Sequence, residues 1–122
     1  MGKFEVKKVK TGIKFNLKAG NGEIIATSEV YNTEAACLKG IDSVRRCCVG
    51  PVEDQTVEGF EVLKHPKFEV YTDKAGEYRF RLKARNGEII AVGEGYASMQ
   101  ACLDEIAAIK ANAPEAAVEQ KE

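Results

Sequence analysis

From Glu77 to Ala84 the chain alternates. Tyr78, Phe80, Leu82 and Ala84 are apolar or small, and Glu77, Arg79, Arg81 and Lys83 between them are charged. Period-two alternation of this length predicts a strand with one buried and one wetter face, as in an antiparallel sheet covered on one side. Ile13, Phe15, Leu17 and Ala19 alternate with Lys14, Asn16 and Lys18 in the same way. Shorter alternation at Phe4 and Val6, and at Phe68 and Val70, predicts a strand before each of these. The period then changes. Cys37, Ile41, Val44 and Cys48 fall at i, i+4, i+7 and i+11, and Cys102, Ile106 and Ile109 repeat the spacing. That predicts two helices, each with one apolar stripe facing the sheet. Thr33 and Ser98 are the expected N-caps, and Gly50-Pro51 and Pro114 end the helices.

The two sets of elements are copies. Lys3–Val6 (KFEV) returns at Lys67–Val70, Asn21–Ala26 (NGEIIA) at Asn86–Ala91, and Ala36–Leu38 (ACL) at Ala101–Leu103. The offset is 64 residues in the first block and 65 afterwards, so the second copy carries one extra residue between Gly76 and Phe80. About half of the aligned positions between Lys3 and Val44 are identical, which marks a tandem duplication. Copies of about 50 residues bury little surface alone, so the two should share one core. The expectation is one domain over residues 1–122. Its parts are a first repeat at 3–56, a join at 57–66 and a second repeat at 67–122. A short fourth strand follows each helix, within Pro51–Thr56 and Ala116–Lys121, with Val52 and Val118 in corresponding places.

Asn-Gly occurs at Asn21-Gly22 and again at Asn86-Gly87. Both residues tolerate the positive φ of a type I′ turn, which predicts a two-residue hairpin in each copy. In that register Ala84 opposes Ile89, Leu82 opposes Ala91, Phe80 opposes Gly93 and Phe15 opposes Ser28. It also sets Arg79 opposite Glu94 and Lys14 opposite Glu29, two matching cross-strand ion pairs. An exposed pair of this kind contributes on the order of 0–1 kcal/mol.

KFEVYTDKAGEYRFRLKARNGEIIAVGEGY followed by ASMQACLDEI resembles the YegP-like family of small, mostly bacterial proteins. FNLKAGNGEIIATSEVYNTEAACLKGI in the first copy resembles it too. The resemblance implies an α+β fold in which two βββαβ units form a single antiparallel sheet with pseudo-two-fold symmetry. Two helices would lie on one face, with the C-terminal strand of each unit exchanged with the other. Such units pair as tandem repeats or as two subunits. The first copy departs from the pattern in its shorter turn after strand one. No established activity comes with the resemblance.

Composition narrows the functional classes. With 44% hydrophobic and 30% charged residues the chain is globular. Its formal net charge of -1 lacks the basic excess of a dedicated nucleic-acid binder. The N-terminal MGKFEVKKVK runs directly into a strand pattern, with no apolar run of signal-peptide length, and no stretch reaches the length of a membrane span. Cys37, Cys47, Cys48 and Cys102 are therefore expected to be reduced thiols in a cytoplasmic protein. Cys37 and Cys102 fall on the apolar stripes as core residues. The vicinal Cys47-Cys48 pair lacks the spacing and further ligands of a metal site. The expectation is no catalytic constellation, no metal, no cofactor and no membrane contact. His65 stands alone in the join. The glycines of GNGE and RNGE belong to hairpins rather than phosphate loops, and Gly93 and Gly95 ease curvature or close packing.

The candidate binding face is the uncovered side of the sheet, carrying Lys14, Lys18, Arg79, Arg81 and Lys83, with Ile25, Ile90 and Val92 between them and Tyr31 and Tyr96 toward its edge. The leading functional expectation is a small non-enzymatic interaction module. It would be monomeric and would meet a protein partner through this face or a strand edge. The alternative is anion or nucleic-acid binding on the same basic face, which a charged but ligand-free solvated face competes with. An uncharacterised enzyme is the third reading. Its candidates are the symmetry-related carboxylates Glu29 and Glu94, each expected beside a basic neighbour that favours the charged form.

Overall fold

The computed structural model describes residues Gly2–Lys121. The first copy forms β1 (Lys3–Val9), β2 (Gly12–Lys18), β3 (Ile24–Thr27), α1 (Glu34–Cys47) and β4 (Val52–Asp54). The second forms β5 (Lys67–Thr72), β6 (Tyr78–Lys83), β7 (Ile89–Val92), α2 (Met99–Asn112), a 3-10 turn (Ala113–Glu115) and β8 (Ala117–Lys121). All eight strands belong to one sheet in the order β4-β5-β6-β7-β3-β2-β1-β8. The last strand of each copy therefore lies at the outer edge of the other. Both exchanged strands run parallel to their neighbours, β4 to β5 and β8 to β1. The sheet is thus mixed, not wholly antiparallel as expected. The parallel partner is in each case the first strand of the other copy; relative to the strand that precedes its own helix, β3 or β7, each exchanged strand runs the opposite way.

The copies meet at the centre. β3 and β7 pair antiparallel through Thr27 and Val92. These residues are 65 apart, which is the repeat offset, so the pseudo-two-fold axis passes between them. Each helix also reaches across this axis, α1 onto β7 and α2 onto β3. One continuous core results. Phe4, Phe15, Phe68 and Phe80 are fully buried in it. Phe4 meets Phe15 edge-on at 5.7 Å, and Phe68 meets Phe80 edge-on at 6.1 Å. Tyr31 stacks on Phe15 at 6.3 Å and Tyr96 on Phe80 at 6.2 Å.

The helices begin where their hydroxyl caps place them. Thr33 accepts from the Ala36 amide and Ser98 from the Ala101 amide, which satisfies one free N–H of each first turn. The exchanged tails are held by the helices of the opposite copy. The Arg45 guanidinium of α1 lies over Phe4 and donates to the Ala116 carbonyl at the entry to β8. Lys110 of α2 lies over Phe68 and donates to the Gly50 carbonyl, 2.7 Å away, before β4.

The hairpins differ from the expected I′ turn. The Ala84 N–H donates to Glu88 and the Gly87 N–H to Ala84; Ala19, Glu23 and Gly22 repeat this pattern. Each loop therefore has three residues. Among the described residues none other than glycine has positive φ, and Gly22 and Gly87 adopt 88° and 84°. This is the type I turn with glycine in the left-handed position. Asn21 and Asn86 contribute through their side chains, each accepting from the amide two residues on. A bulge follows at once. Lys83 pairs with Ile89 and Leu82 with Ala91, leaving Ile90 as the extra residue; Ile25 is its counterpart. The longer loop and the bulge cancel. Ala84 does not oppose Ile89, yet Leu82 does oppose Ala91. The Gly93 and Ser28 amides bond to Phe80 and Phe15 as the shorter turn would also require.

Candidate functional site on the uncovered sheet face

Alternation sends Phe4, Val6, Phe15 and Leu17 of the first copy, and Phe68, Val70, Phe80 and Leu82 of the second, to the helices. Their neighbours go to the other face. Arg79, Arg81 and Lys83 on β6 and Lys14 and Lys18 on β2 share that face, as expected. Most of these charges are neutralised. Lys18 pairs with Glu5 at 2.9 Å. Lys83 and Arg81 both reach Glu69, and Arg81 also lies over the Tyr71 ring at 4.4 Å. Arg79 pairs with Asp73, whose carboxyl is held below its ordinary range by that guanidinium and by the turn amides. The expected pairs of Lys14 with Glu29 and Arg79 with Glu94 do not form among the described residues. The partners come from β5 and the turn after it, or from β1, because the bulges disturb the β3 and β7 side of each hairpin while the β1–β2 and β5–β6 ladders stay regular.

The apolar positions also shift. Ile25 and Ile90, the extra residues of the bulges, join the buried core; Ile24 and Ile89 are exposed beside Lys18 and Lys83. Val92 remains half-buried on the open face. Tyr31 and Tyr96 belong to the helix side. Burial, with Glu29 nearby, pushes the Tyr31 phenol up to about 12; burial and Glu105 push Tyr96 upward as well.

The two halves of the face differ. Under the join, Lys67 bridges Glu53 at 2.7 Å and Glu69 at 3.3 Å, with all three residues at least 96% buried. The Leu63 amide of the join donates to Glu53 at 2.7 Å, so this segment closes over the cluster. Burial would raise the Glu53 pKa, but donors from Lys67, Gln55 and Leu63 outweigh it and hold the carboxyl at about 2. Lys67 is held above its ordinary range in the same way, against the effect of burial. The counterpart of this pair in the first copy is Lys3 with Glu119, whose side chains keep 40% and 39% exposure. Among the described residues no segment covers it as the join covers Lys67.

Lys14 is the exception among the candidates. It stands directly opposite Lys7 in the β1–β2 ladder. Like charges in that position repel by roughly 0.2–1 kcal/mol. Neither lysine has an ion pair among the described residues. The equivalent positions in the second copy are Tyr71 and Arg79, and Arg79 has Asp73. Lys7 and Lys14 border a cavity of about 240 Å³ at the centre of the face, lined also by Asn16, Thr27, Val92 and Glu94. Thr27 Oγ1 is buried and has no hydrogen-bond partner among the described residues. The arrangement offers two ammonium groups to one negative group, with the Glu94 carboxylate on the same lining. Lys7 is absent from the candidates read from β2 and β6 alone, though alternation within KFEVKKV places it on this face with Lys3 and Glu5.

The remaining candidates sort onto the core. All four cysteines are free and buried. Burial pushes Cys102 up to about 11, and Cys37 and Cys48 upward, so none of these three is an activated thiolate. Among the described residues no cluster of three or more His, Cys, Asp or Glu converges as metal ligands would. No described helix is long and apolar enough to cross a membrane.

Comparison with known proteins agrees with this architecture. The model of a domain of unknown function, DUF1508, matches twice, at residues 11–54 and 73–120. The UPF0339 protein YegP of Yersinia pestis is 40% identical over 113 residues, covering 92% of this chain and 88% of its own. A UPF0339 protein of Treponema denticola is 60% identical over 52 residues, which is 43% of this chain but 90% of the relative, so that relative is little longer than one repeat. The solution NMR structure of yegP from E. coli, a protein of unknown function, matches with a TM-score of 0.80 at 36% identity, covering 98% of this chain and 92% of that one. A UPF0339 protein from Shewanella oneidensis gives 0.79 at 29% identity, covering 98% and 90%. With both copies matched and the eight strands and two helices arranged as in these relatives, the chain belongs to the DUF1508 family, which includes the UPF0339 YegP proteins and has no named activity.

Proposed function

We propose that the chain is a small non-enzymatic binding module that receives an acidic side chain of a protein partner on its uncovered sheet face, between Lys7 and Lys14. One observation carries this reading. Lys18, Arg79, Arg81 and Lys83 are paired, whereas two lysines held face to face at a cavity have no ion pair among the described residues. A carboxylate there relieves their repulsion through charge-assisted hydrogen bonds. The cavity is sized for a side chain rather than for a large ligand. Against base stacking stand the Tyr71 ring, occupied by Arg81, and the Phe15–Tyr31 and Phe80–Tyr96 pairs, which face the helices. The module acts as a monomer in a reducing cytoplasm, because each copy already supplies the other's missing edge strand and all four thiols are free and buried.

Amide chemical shifts during titration with a short Glu-rich peptide at low salt test this. Saturable shifts at Lys7, Lys14 and Thr27, lost in a Lys7→Glu/Lys14→Glu variant and weakened by added salt, are expected. Shifts that persist in the variant overturn the reading. Tighter binding of a short RNA at the same amides would replace it by nucleic-acid recognition.

A further inference from the structure

A second cleft lies away from the sheet face. Its volume is about 730 Å³, within the range of small-molecule sites. It opens between the last turn of α1, the end of the join and the second hairpin, and Ser43, Arg46, Cys47, Val49, Arg85 and Asn86 line it, with Pro66 and Ala84 behind. Arg46 comes from the helix and Arg85 from the hairpin loop, elements of different copies. Neither has an ion-pair partner among the described residues, although the adjacent Arg45 pairs with Asp42. Val49 is an apolar side chain with 75% exposure at the rim. Two guanidinium groups thus face a partly apolar hollow with no carboxylate among its lining residues.

Pseudo-symmetry supplies an internal comparison. The positions equivalent to Ser43, Arg46, Cys47 and Arg85 are Ala108, Ala111, Asn112 and Gly20, and Pro66 corresponds to Gly2. Both cations are missing there. Asn112 instead packs so closely on Gly2 that a Cβ on Gly2 would lie 2.7 Å from its side-chain oxygen. The same fold therefore forms without this pair of arginines, so they are not a requirement of the architecture. Arg46 also complements the dipole of the last turn of α1. Arg85 sits in a loop and has no such structural task.

We infer that this cleft is a binding site for a phosphate monoester with a small apolar body. Planar guanidinium groups match phosphate oxygens in a fork geometry that lysine lacks. The Ser43 hydroxyl and Asn86 amide add donors, and Pro66, Ala84 and Val49 provide the wall for the apolar part. The site is independent of Lys7 and Lys14, which lie on the uncovered sheet face.

Titration with phenyl phosphate, followed by amide shifts and calorimetry, tests the inference on the full chain. The expected result is saturable shifts at Ser43–Val49 and at Arg85–Gly87, with inorganic phosphate binding more weakly. Arg85→Ala should weaken phenyl phosphate by at least about tenfold, since it removes hydrogen bonds to a charged group, and should leave the melting temperature unchanged. Lys7→Glu/Lys14→Glu should leave phenyl phosphate binding intact. No saturable shift at these amides, unchanged affinity in Arg85→Ala, shifts confined to Lys7 and Lys14, or binding of benzoate but not phenyl phosphate would each overturn it.

Discussion

Gly93 is the position where the second copy is packed most tightly against its own duplicate logic. A Cβ built there would lie 2.2 Å from Phe80 Cε2 and 2.6 Å from Cζ. The Phe80 ring is fully buried and held between Phe68 and Tyr96, so it cannot swing aside as the end of an exposed chain could. Gly93→Ala should therefore act as overpacking and destabilise the protein by about 1–3 kcal/mol. The first copy makes this a demanding test. Ser28 occupies the equivalent position opposite Phe15, carries a Cβ, and its hydroxyl accepts from the Phe15 amide at 2.9 Å. The fold can thus accommodate a Cβ at this point when the surrounding rings are set for it. Urea unfolding of Gly93→Ala, Phe80→Leu and the double variant separates the two cases. Overpacking predicts that Phe80→Leu, though costly alone, adds less than its full effect to Gly93→Ala, with a coupling of about 0.5–3 kcal/mol. A Gly93→Ala variant within about 0.5 kcal/mol of the parent, with no coupling to Phe80, would show that the ring relaxes freely and would refute the argument.

Two further predictions concern the exchanged edge and the buried cluster. Deleting Ala116–Glu122 removes the strand paired with β1 and the carbonyl held by Arg45, so amide protection should fall in β1 and β2 of the first copy as well as in α2; hydrogen exchange changing only in the second copy would count against the exchange. Glu53 is held at about 2, below its ordinary value of 4.5. Its stabilising contribution, on the order of 3 kcal/mol, is present above about pH 4.5 and lost as pH falls toward 2. Glu53→Gln should flatten acid unfolding across that window, and an unchanged acid transition would mean that the cluster contributes nothing there.

Much of the architecture is legible in the residues because it rests on periodicity and repetition. Thr33 and Ser98 cap as their position suggests, and Cys37, Ile41, Val44 and Cys48 lie inward at helical spacing. The duplication itself signals shared halves and, through Val52 and Val118, a final strand in each. What escapes are features with no local signature. Asn-Gly serves a type I turn with a following glycine as well as a type I′ turn, so the sequence does not distinguish two loop residues from three. The compensating bulge at Ile90 hides the difference farther along, where Leu82 and Ala91 pair in either case. Ion pairing depends on which neighbouring strand stays regular, and that placed Glu5 and Glu69, rather than Glu29 and Glu94, beside the basic residues. The isolation of Lys14 is visible only when Lys7 is set against it from another strand.

Duplication explains why the candidate sites occur singly. Were the two halves separate identical chains, every change at Lys14 would also be a change at Arg79, and any alteration near the axis would be felt on both sides of the Thr27–Val92 contact. Fusing them in one chain removes that constraint. One half can then spend a segment, the join, in covering Lys67, Glu53 and Glu69, while the other keeps Lys3 and Glu119 open. Lys7 and Lys14 have no ion pair among the described residues, whereas Arg79 has Asp73, and Arg46 and Arg85 stand where Ala111 and Gly20 carry no charge. The core shows the opposite behaviour: Phe4 and Phe68, Phe15 and Phe80, Tyr31 and Tyr96, and Cys37 and Cys102 keep the same identities and nearly the same ring geometry. Packing constrains both halves alike, since each completes the other's interior. Charge on the surface is constrained only by its local partners, and it is there, at positions where symmetry has been given up without a structural need, that binding is to be sought.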